Sequence, residues 1–276
     1  MNEEAIKKML KEEKAKKNIL IATHRGASGG NIIENTACGF DAAIAMGTDI
    51  VEADIAQTLD GDLFVIHDTM EDRLFRVNKN IRKMTTKEAR ELRYINQNCT
   101  VMAEGLNTFD EILEHLKGRC LINLDRCWYC WPAVFKTLKK HGMNEQIILK
   151  SPPKPDYLNI LSACDVPFMY MPILKKTEDL EVVNNAGVNL VALELVFKTE
   201  DNPLVDDTFL LEQKKRGLLI WGNAITLDEF TQLAAGHDDD SSILKNPDEG
   251  WGYFVKKGFD IIQTDWPSLL HNYLRK

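Results

Sequence analysis

Asp49-Ile50-Val51-Glu52-Ala53-Asp54-Ile55 is an apolar run interrupted by two acids one residue apart. In a strand successive side chains point to opposite faces, so Glu52 and Asp54 share the face of Ile50, and Val51, Ala53 and Ile55 take the other. Two carboxylates side by side repel each other. Inside the mouth of a barrel the pair is tolerated when a divalent cation lies between them, because hard cations take oxygen ligands and remove the repulsion. The alternative is an acidic, exposed strand edge, and the apolar neighbours argue against it.

Outward from this run, short apolar segments alternate with amphipathic ones, the pattern of parallel strands separated by helices. The predicted strands are Ile19 to Thr23, Asp49 to Ile55, Leu121 to Asp125, Gln146 to Lys150, Phe168 to Ile173, Leu190 to Val196, Leu218 to Trp221 and Asp260 to Thr264. Helices are predicted at Thr36 to Met46, Phe109 to Lys117, Pro132 to His141, Asp156 to Cys164, Glu178 to Ala186, Asp207 to Arg216 and Leu227 to Ala235. Gly47, Gly118, Gly142, Gly187 and Gly217 stand where helices should stop. Eight strands with seven helices between them imply a closed α/β structure, a (β/α)8 TIM barrel, with an open doubly wound sheet as the alternative. Polar and charged residues gather at the C-terminal ends of the strands, the face on which barrel sites are built, and this favours the barrel.

Three segments lie outside the regular count. Residues 1–17 carry Glu and Lys at helical spacing with a thin stripe of Ile6, Met9 and Leu10, expected as a helix packed on a single domain spanning residues 18–276. A membrane-surface role needs a broader stripe. Residues 67–107 form a long excursion with a helix expected over Thr86 to Tyr94. Residues 236–252, with Asp238-Asp239-Asp240, read as a solvated loop, since three successive acids lack the alternating ligands and turn glycine of a calcium loop.

The 276 residues are 44% hydrophobic and carry a net charge of −8, which argues against a broad basic face for nucleic acid. No apolar stretch reaches the length of a membrane-spanning helix, and the charged N-terminus does not read as a signal peptide. Six sparse cysteines, mostly in apolar runs, fit buried thiols in a reducing, cytoplasmic protein. Cys127 and Cys130 have the gap of a redox or zinc pair, but without further paired ligands they are read as packing thiols.

The candidate site assembles from strand ends. His24 follows the first strand and His67 follows the apolar run Leu63 to Ile66, so both imidazoles are expected at one barrel mouth. Hydrolysis of a phosphate ester needs a base for the nucleophile and an acid for the leaving oxygen, and histidine can hold either state near neutral pH. Asp125, ending the strand after Glu52 and Asp54, is the expected third metal ligand, with a helix N-cap as its alternative role. Arg25 offers a planar fork for phosphate oxygens, and Arg126 and Lys150 end strands where they can add positive charge. Gly26, Gly29 and Gly30 would let backbone approach a ligand.

In order along the chain, His24-Arg25-Gly26, Glu34-Asn35-Thr36, Glu52-x-Asp54, Asp60-Gly61 and His67-Asp68 resemble the glycerophosphodiester phosphodiesterases, and Thr264-Asp265-Trp266-Pro267 extends the likeness in looser form. The resemblance implies a TIM barrel of the phospholipase C-like phosphodiesterase type. It implies one divalent cation on Glu52 and Asp54, His24 and His67 as the acid/base pair, and Arg25 on the substrate phosphate. The family's usual third ligand is a Glu followed two residues later by Lys; here those positions read Asp125 and Cys127, with Arg126 between. The expected reaction is metal-dependent hydrolysis of a glycerophosphodiester to glycerol 3-phosphate and an alcohol, the nucleophile being the glycerol 2-hydroxyl or water. Mg, Ca and Mn all suit oxygen ligands. Trp128 and Trp221, with Tyr129 and Trp131, either shape the pocket for the alcohol or pack. The competing functions are a phospholipase C- or D-like barrel acting on intact or lyso-phospholipid, and a non-catalytic phosphate-ligand binder, against which the two histidines speak.

Overall fold

The computed structural model describes residues 2–228 and 230–275. Met1, Glu229 and Lys276, which fall within the expected N-terminal helical segment, the expected helix 227–235 and the barrel domain, lie outside the described residues. Eight parallel strands form the barrel: β1 (Leu20–Thr23), β2 (Ile50–Gln57), β4 (Leu121–Asp125), β5 (Ile147–Ser151), β6 (Met169–Leu174), β7 (Ala192–Leu195), β8 (Leu219–Asn223) and β9 (Ile261–Thr264). Neighbours pair in that order, and β1 closes the ring by pairing with both β9 and β2. The remaining strand, β3 (Leu63–Val65), lies antiparallel to β2. Its brevity hid it in the sequence, although the Asp60-Gly61 turn that makes the hairpin is plain; Gly61 sits at φ 94°.

The alternation predicted for β2 holds around the ring. Val51, Ala53, Ile55, Ile122, Leu124, Leu149, Leu193, Ile220 and Ile262 face the helices in one large core. Leu20, Ile50, Leu121, Ile148, Met169, Ala192, Trp221 and Ile261 form a second cluster within the ring. The N-terminal helices Glu3–Ile6 and Lys8–Lys16 add Ile6 and Leu10, 0% and 4% exposed, to this inner cluster. At ~1.5–3 kcal/mol for each large apolar side chain buried, that packing accounts for the thin stripe, and its apolar face points into the barrel.

Two expectations are corrected. Leu227 to Ala235 is irregular across its described residues. The Asp228 carboxylate accepts the backbone N–H groups of Phe230 (2.8 Å) and Thr231 (2.7 Å), turning the chain. Leu233 O then accepts Phe197 N–H and Ala235 N–H reaches Phe197 O, so these backbone groups are used across the loop instead of along a helix. Residues 236–252 contain the helix Asp239–Leu244, capped by the Asp238 side chain on Ser241 N–H, and the start of the helix Trp251–Lys257. Asp239 is only 1% exposed, so the acidic run is not wholly solvated.

The excursion after β3 packs its own small core, with Phe64, Ile66, Leu74, Phe75, Ile81, Met84, Ala89, Leu92 and Tyr94. Its helix runs Thr86–Glu91, opened by a capping box in which Thr85 and Glu88 satisfy each other's backbone N–H. Of the six cysteines only Cys120, Cys127 and Cys130 are buried, while Cys38 and Cys99 are exposed, and all six are free thiols. Burial raises the Cys127 thiol well above its ordinary value and pushes Cys130 up to about 12, which leaves neither thiol as a redox thiolate.

Candidate active site

Register brings the acids together. Asp54 on β2 pairs with Asp125 on β4, and Glu52 lies one inward position below Asp54. Glu52, Asp54 and Asp125 each place a carboxylate oxygen within 4.8 Å of the others. Glu52 and Asp54 are each 1% exposed.

The second ring of contacts holds these oxygens in place. Arg25 and Asn35 both sit in the left-handed region, at φ 56°, so the loop after β1 curls back over β2. Arg25 N–H donates to Glu52 Oε2 at 2.9 Å, and its Nε lies 3.0 Å from Asp54 Oδ2. Arg25 Nη1 also reaches Glu34 (3.0 Å), which is shared with Arg73. Asn35 grips Asp54 twice, its Nδ2 donating to Oδ2 (2.9 Å) and its Oδ1 accepting Asp54 N–H (3.1 Å). Gly26 serves packing and not a ligand. A Cβ there would lie 2.8 Å from Gly39 C and 2.9 Å from a Phe40 ring carbon. Gly29 and Gly30 have open space around them.

Lys150 on β5 is 3% exposed and lies between two carboxylates, 2.7 Å from Asp125 Oδ2 and 3.3 Å from Glu194 Oε2. Burial works against its charge, but Asp125, Glu194 and Glu52 together raise its pKa. Burial likewise opposes the Asp125 charge, and Lys150 outweighs it, holding that carboxyl below its ordinary value. Arg126, beyond the strand end at φ 58°, turns its guanidinium onto Asp68, with Nη2 at 2.8 Å and Nε at 3.1 Å from Oδ1. Its side chain is 35% exposed, so of these two strand-end cations only Arg126 has substantial open surface.

The histidines stand on separate loops. His24 donates its backbone N–H to Thr264 O at the end of β9, and its Nδ1 lies 2.9 Å from Asp265 Oδ1. Burial alone would lower its pKa; the Asp265 hydrogen bond and the charges of Glu52 and Asp265 reverse that, so His24 titrates above the usual histidine range. Ile66 N–H donates to Asp54 O (2.9 Å), which brings the following His67 beside the end of β2. His67 Nδ1 is 2.6 Å from Asp68 O. A carbonyl only accepts, so Nδ1 carries a proton, and in the neutral imidazole Nε2 is then the acceptor.

Trp128 lies half-buried after β4, its ring centroid 6.2 Å from that of Tyr157 and 6.0 Å from Arg126 Cζ. Trp221 is not a pocket wall: it is 0% exposed inside the barrel, with Nε1 donating to Asn223 Oδ1 at 2.9 Å. It faces inward below the site because β8 alternates like its neighbours. Sequence reasoning gave no role to Asn35 or Asp265 beyond the quoted motifs, and it missed Asp239. Asp265 carried the same signal as Asp125, an acid at the C-terminal end of an apolar strand.

Around the cluster five carboxylates, Glu34, Glu52, Asp54, Asp125 and Glu194, meet three arginine and lysine cations, Arg25, Arg73 and Lys150, so with every carboxyl ionised two negative charges are in surplus. Burial and then the neighbouring Asp54 charge push Glu52 up to about 8. An all-oxygen donor set with this surplus fits one hard divalent cation.

Residues 24–128 match a family model described as the glycerophosphoryl diester phosphodiesterase family, and residues 168–274 match a domain of unknown function. A glycerophosphodiester phosphodiesterase from Caldanaerobacter subterraneus is 29% identical over 140 residues, covering 48% of this chain and 57% of that protein. A Bacillus subtilis relative named as a putative glycerophosphodiester phosphodiesterase is 39% identical over 72 residues, 26% of this chain and 29% of its own. The chain thus matches between about a quarter and little more than half of these relatives' lengths. Among solved structures, a glycerophosphoryl diester phosphodiesterase from Parabacteroides distasonis shares the fold at TM-score 0.75 and 16% identity, over 93% of this chain and 86% of that one. An Oleispira antarctica phosphodiesterase in complex with its product sn-glycerol-3-phosphate does so at TM-score 0.68 and 19% identity, over 93% and 97%.

Proposed function

We propose that the chain is a member of the glycerophosphodiester phosphodiesterase family, which the match of residues 24–128 and the related sequences support, and that it hydrolyses glycerophosphodiesters to sn-glycerol 3-phosphate and an alcohol. The observation that carries the reading is the convergence of Glu52, Asp54 and Asp125 beside two histidines whose Nδ1 atoms are both anchored. Glu52, Asp54 and Asp125 would hold a divalent cation, Mg or Ca, with Mn equally suited to oxygen donors, and such a cation would supply Lewis acidity.

The chain's own groups do the rest. His67 Nε2 takes the proton of the attacking hydroxyl as its oxygen bonds to phosphorus. His24, whose pKa the Asp265 hydrogen bond and the charges of Glu52 and Asp265 raise against burial, gives a proton to the alcohol oxygen as the far P–O bond breaks. With water as the nucleophile this gives glycerol 3-phosphate directly. With the glycerol 2-hydroxyl the cyclic phosphate so formed is opened by water in a second step, in which His24 takes the proton of water and His67 returns one to the glycerol oxygen. Arg126, open at the mouth, contacts the phosphate, while Lys150 stays beneath Asp125 and fixes that carboxylate. Arg25 has Nη1 hydrogen-bonded to Glu34 and Nε within ion-pair distance of Asp54, and its Nη2 would serve a phosphoryl oxygen. Trp128 borders the space for the alcohol. A phospholipase acting at a membrane surface would need an apolar rim or an interfacial helix, and the Ile6, Met9 and Leu10 stripe does not supply that helix, since Ile6 and Leu10 pack into the barrel.

The test is turnover of a panel, glycerophosphocholine, glycerophosphoethanolamine, glycerophosphoinositol, glycerophosphoglycerol and lysolipids, with Mg or Ca, monitored by release of sn-glycerol 3-phosphate. The proposal expects release from at least one glycerophosphodiester. Release from none of them, with lysolipids cleaved instead, refutes it.

A further inference from the structure

We propose that Asp239 is a positioning residue for the active site: its buried carboxylate fixes the turn after β9 so that Asp265 meets His24. That His24 takes part in catalysis rests on the reading above; the contacts themselves do not.

Asp239 is held on all sides. Its Oδ1 accepts Trp251 Nε1–H and Thr264 Oγ1–H, both at 2.7 Å, and its Oδ2 accepts Asp265 N–H at 2.8 Å. Its own N–H donates to Ala224 O (2.6 Å), and Ala224 N–H in turn donates to Gln263 O (2.8 Å) on β9. Thr264 Oγ1 also accepts Trp266 N–H at 2.9 Å. One carboxylate therefore binds residues 264 and 265 directly and reaches 266 through the threonine hydroxyl.

Among the described residues no cation lies in salt-bridge contact with Asp239, so these donors alone oppose the cost of its burial at 1% exposure, and burial still pushes the carboxyl up to about 7. Asp265, by contrast, has a side chain 41% exposed. Its orientation toward His24 Nδ1 is set by the turn and not by packing around the side chain. Asp239 reaches this turn from the 236–252 segment, which inserts between β8 and β9 in sequence and carries its anchor, Trp251, at 3% exposure. Outer partners that orient a metal-bound histidine typically matter ~10–100-fold to affinity or activity, and the same scale is taken for the turn that orients His24.

Asp239→Asn keeps one oxygen for Trp251 and Thr264 but sets an amide NH2 group against Asp265 N–H. Trp251→Phe removes one donor from the same carboxylate and leaves the Asp265 bond intact. In Asp239→Asn we expect kcat on the glycerophosphodiester turned over by the wild type to fall ~10–100-fold with KM changed less than about twofold. The hydrogen-bonded Nδ1–H resonance of His24, assigned by its loss in His24→Ala, should shift or broaden. Trp251→Phe should lower stability while preserving that resonance and kcat. In the wild type the Asp265 amide should exchange with solvent as slowly as the amides of β9, a measurement that stands if Asp239→Asn does not fold. An unchanged His24 resonance in folded Asp239→Asn, equal losses of kcat in both variants, or an Asp265 amide exchanging at loop rates each overturn the proposal. Should the wild type turn over no glycerophosphodiester, the functional reading fails, and the resonance and exchange measurements still decide the role of Asp239.

Discussion

Replacing Lys150 by Met should destabilise the protein by about 3–5 kcal/mol at neutral pH, the cost of removing one partner from a buried ion pair. The ammonium is 3% exposed and lies 2.7 Å from Asp125 Oδ2 and 3.3 Å from Glu194 Oε2. At an effective dielectric constant of ~20 each contact is a gross attraction of roughly 5–6 kcal/mol. Desolvation of the lysine offsets much of that in the wild type. Methionine fills similar volume without the charge, so the loss comes from the two carboxylates left unpaired and not from a cavity. For 276 residues at ~2.1 cal/mol/K each the unfolding entropy is about 0.6 kcal/mol/K, and the loss corresponds to a fall in Tm of ~5–9 °C.

The pH dependence separates this account from simple core disruption. In the wild type Lys150 holds the Asp125 carboxyl below its ordinary value. A carboxyl lowered in this way stabilises the fold above its unfolded-state pKa, ~3.9, and that contribution is lost as pH falls through the folded-state pKa. In Lys150→Met only Arg126 is left to oppose burial at Asp125, so the variant is penalised while the carboxyl is charged and relieved as it protonates. Chemical unfolding in urea, with chelator present, should show the gap between the two proteins closing as pH falls from 7 toward 4. A gap that is absent at pH 7, or constant across that range, refutes the argument.

His24→Ala and His67→Ala should each lower turnover by at least ~10²–10⁴-fold while circular dichroism shows the fold retained; wild-type rates in both variants would remove the acid/base assignment. Divalent-cation affinity should rise about tenfold per pH unit up to pH ~8, with release of about one proton, because binding must displace the proton that burial and Asp54 hold on Glu52. Calorimetry in buffers of different ionisation enthalpy measures both, and an affinity flat between pH 6 and 8 contradicts the sign. Trp221→Phe, which deletes a buried donor to Asn223, should cost ~1–3 kcal/mol and leave KM within about twofold, whereas a large rise in KM would return Trp221 to the substrate pocket.

The barrel was legible because period-two alternation survives in every strand where one face meets the helices and the other the barrel interior. Val51 and Ala53 against Glu52 and Asp54 is that rule in four residues. The acid trio was legible for the same reason, since in-register parallel strands bring Asp54 and Asp125 to one height. Features that depend on a single local competition were hidden. Asp228 turned an amphipathic segment into a loop by taking two backbone N–H groups, and a three-residue β3 is too short for any periodicity to mark it. Asp239 was misread because an acidic triplet has the composition of a solvated loop, while Trp251 and Thr264, the donors that make its burial tolerable, lie 12 and 25 residues away. Lys150 and Arg126 could not be ranked from sequence, as both end strands. Inward placement beneath Asp125 buries one, and a left-handed backbone leaves the other at the surface.

The central claim, that Glu52, Asp54 and Asp125 hold the cation for phosphodiester hydrolysis, is tested most directly by stripping the protein with chelator and adding Mg or Ca stepwise while sn-glycerol 3-phosphate is measured. Turnover should be absent from the stripped protein, return with saturation at one cation per chain, and fail to return in Glu52→Gln. Full turnover without added cation, or restoration in Glu52→Gln equal to the wild type, would contradict it.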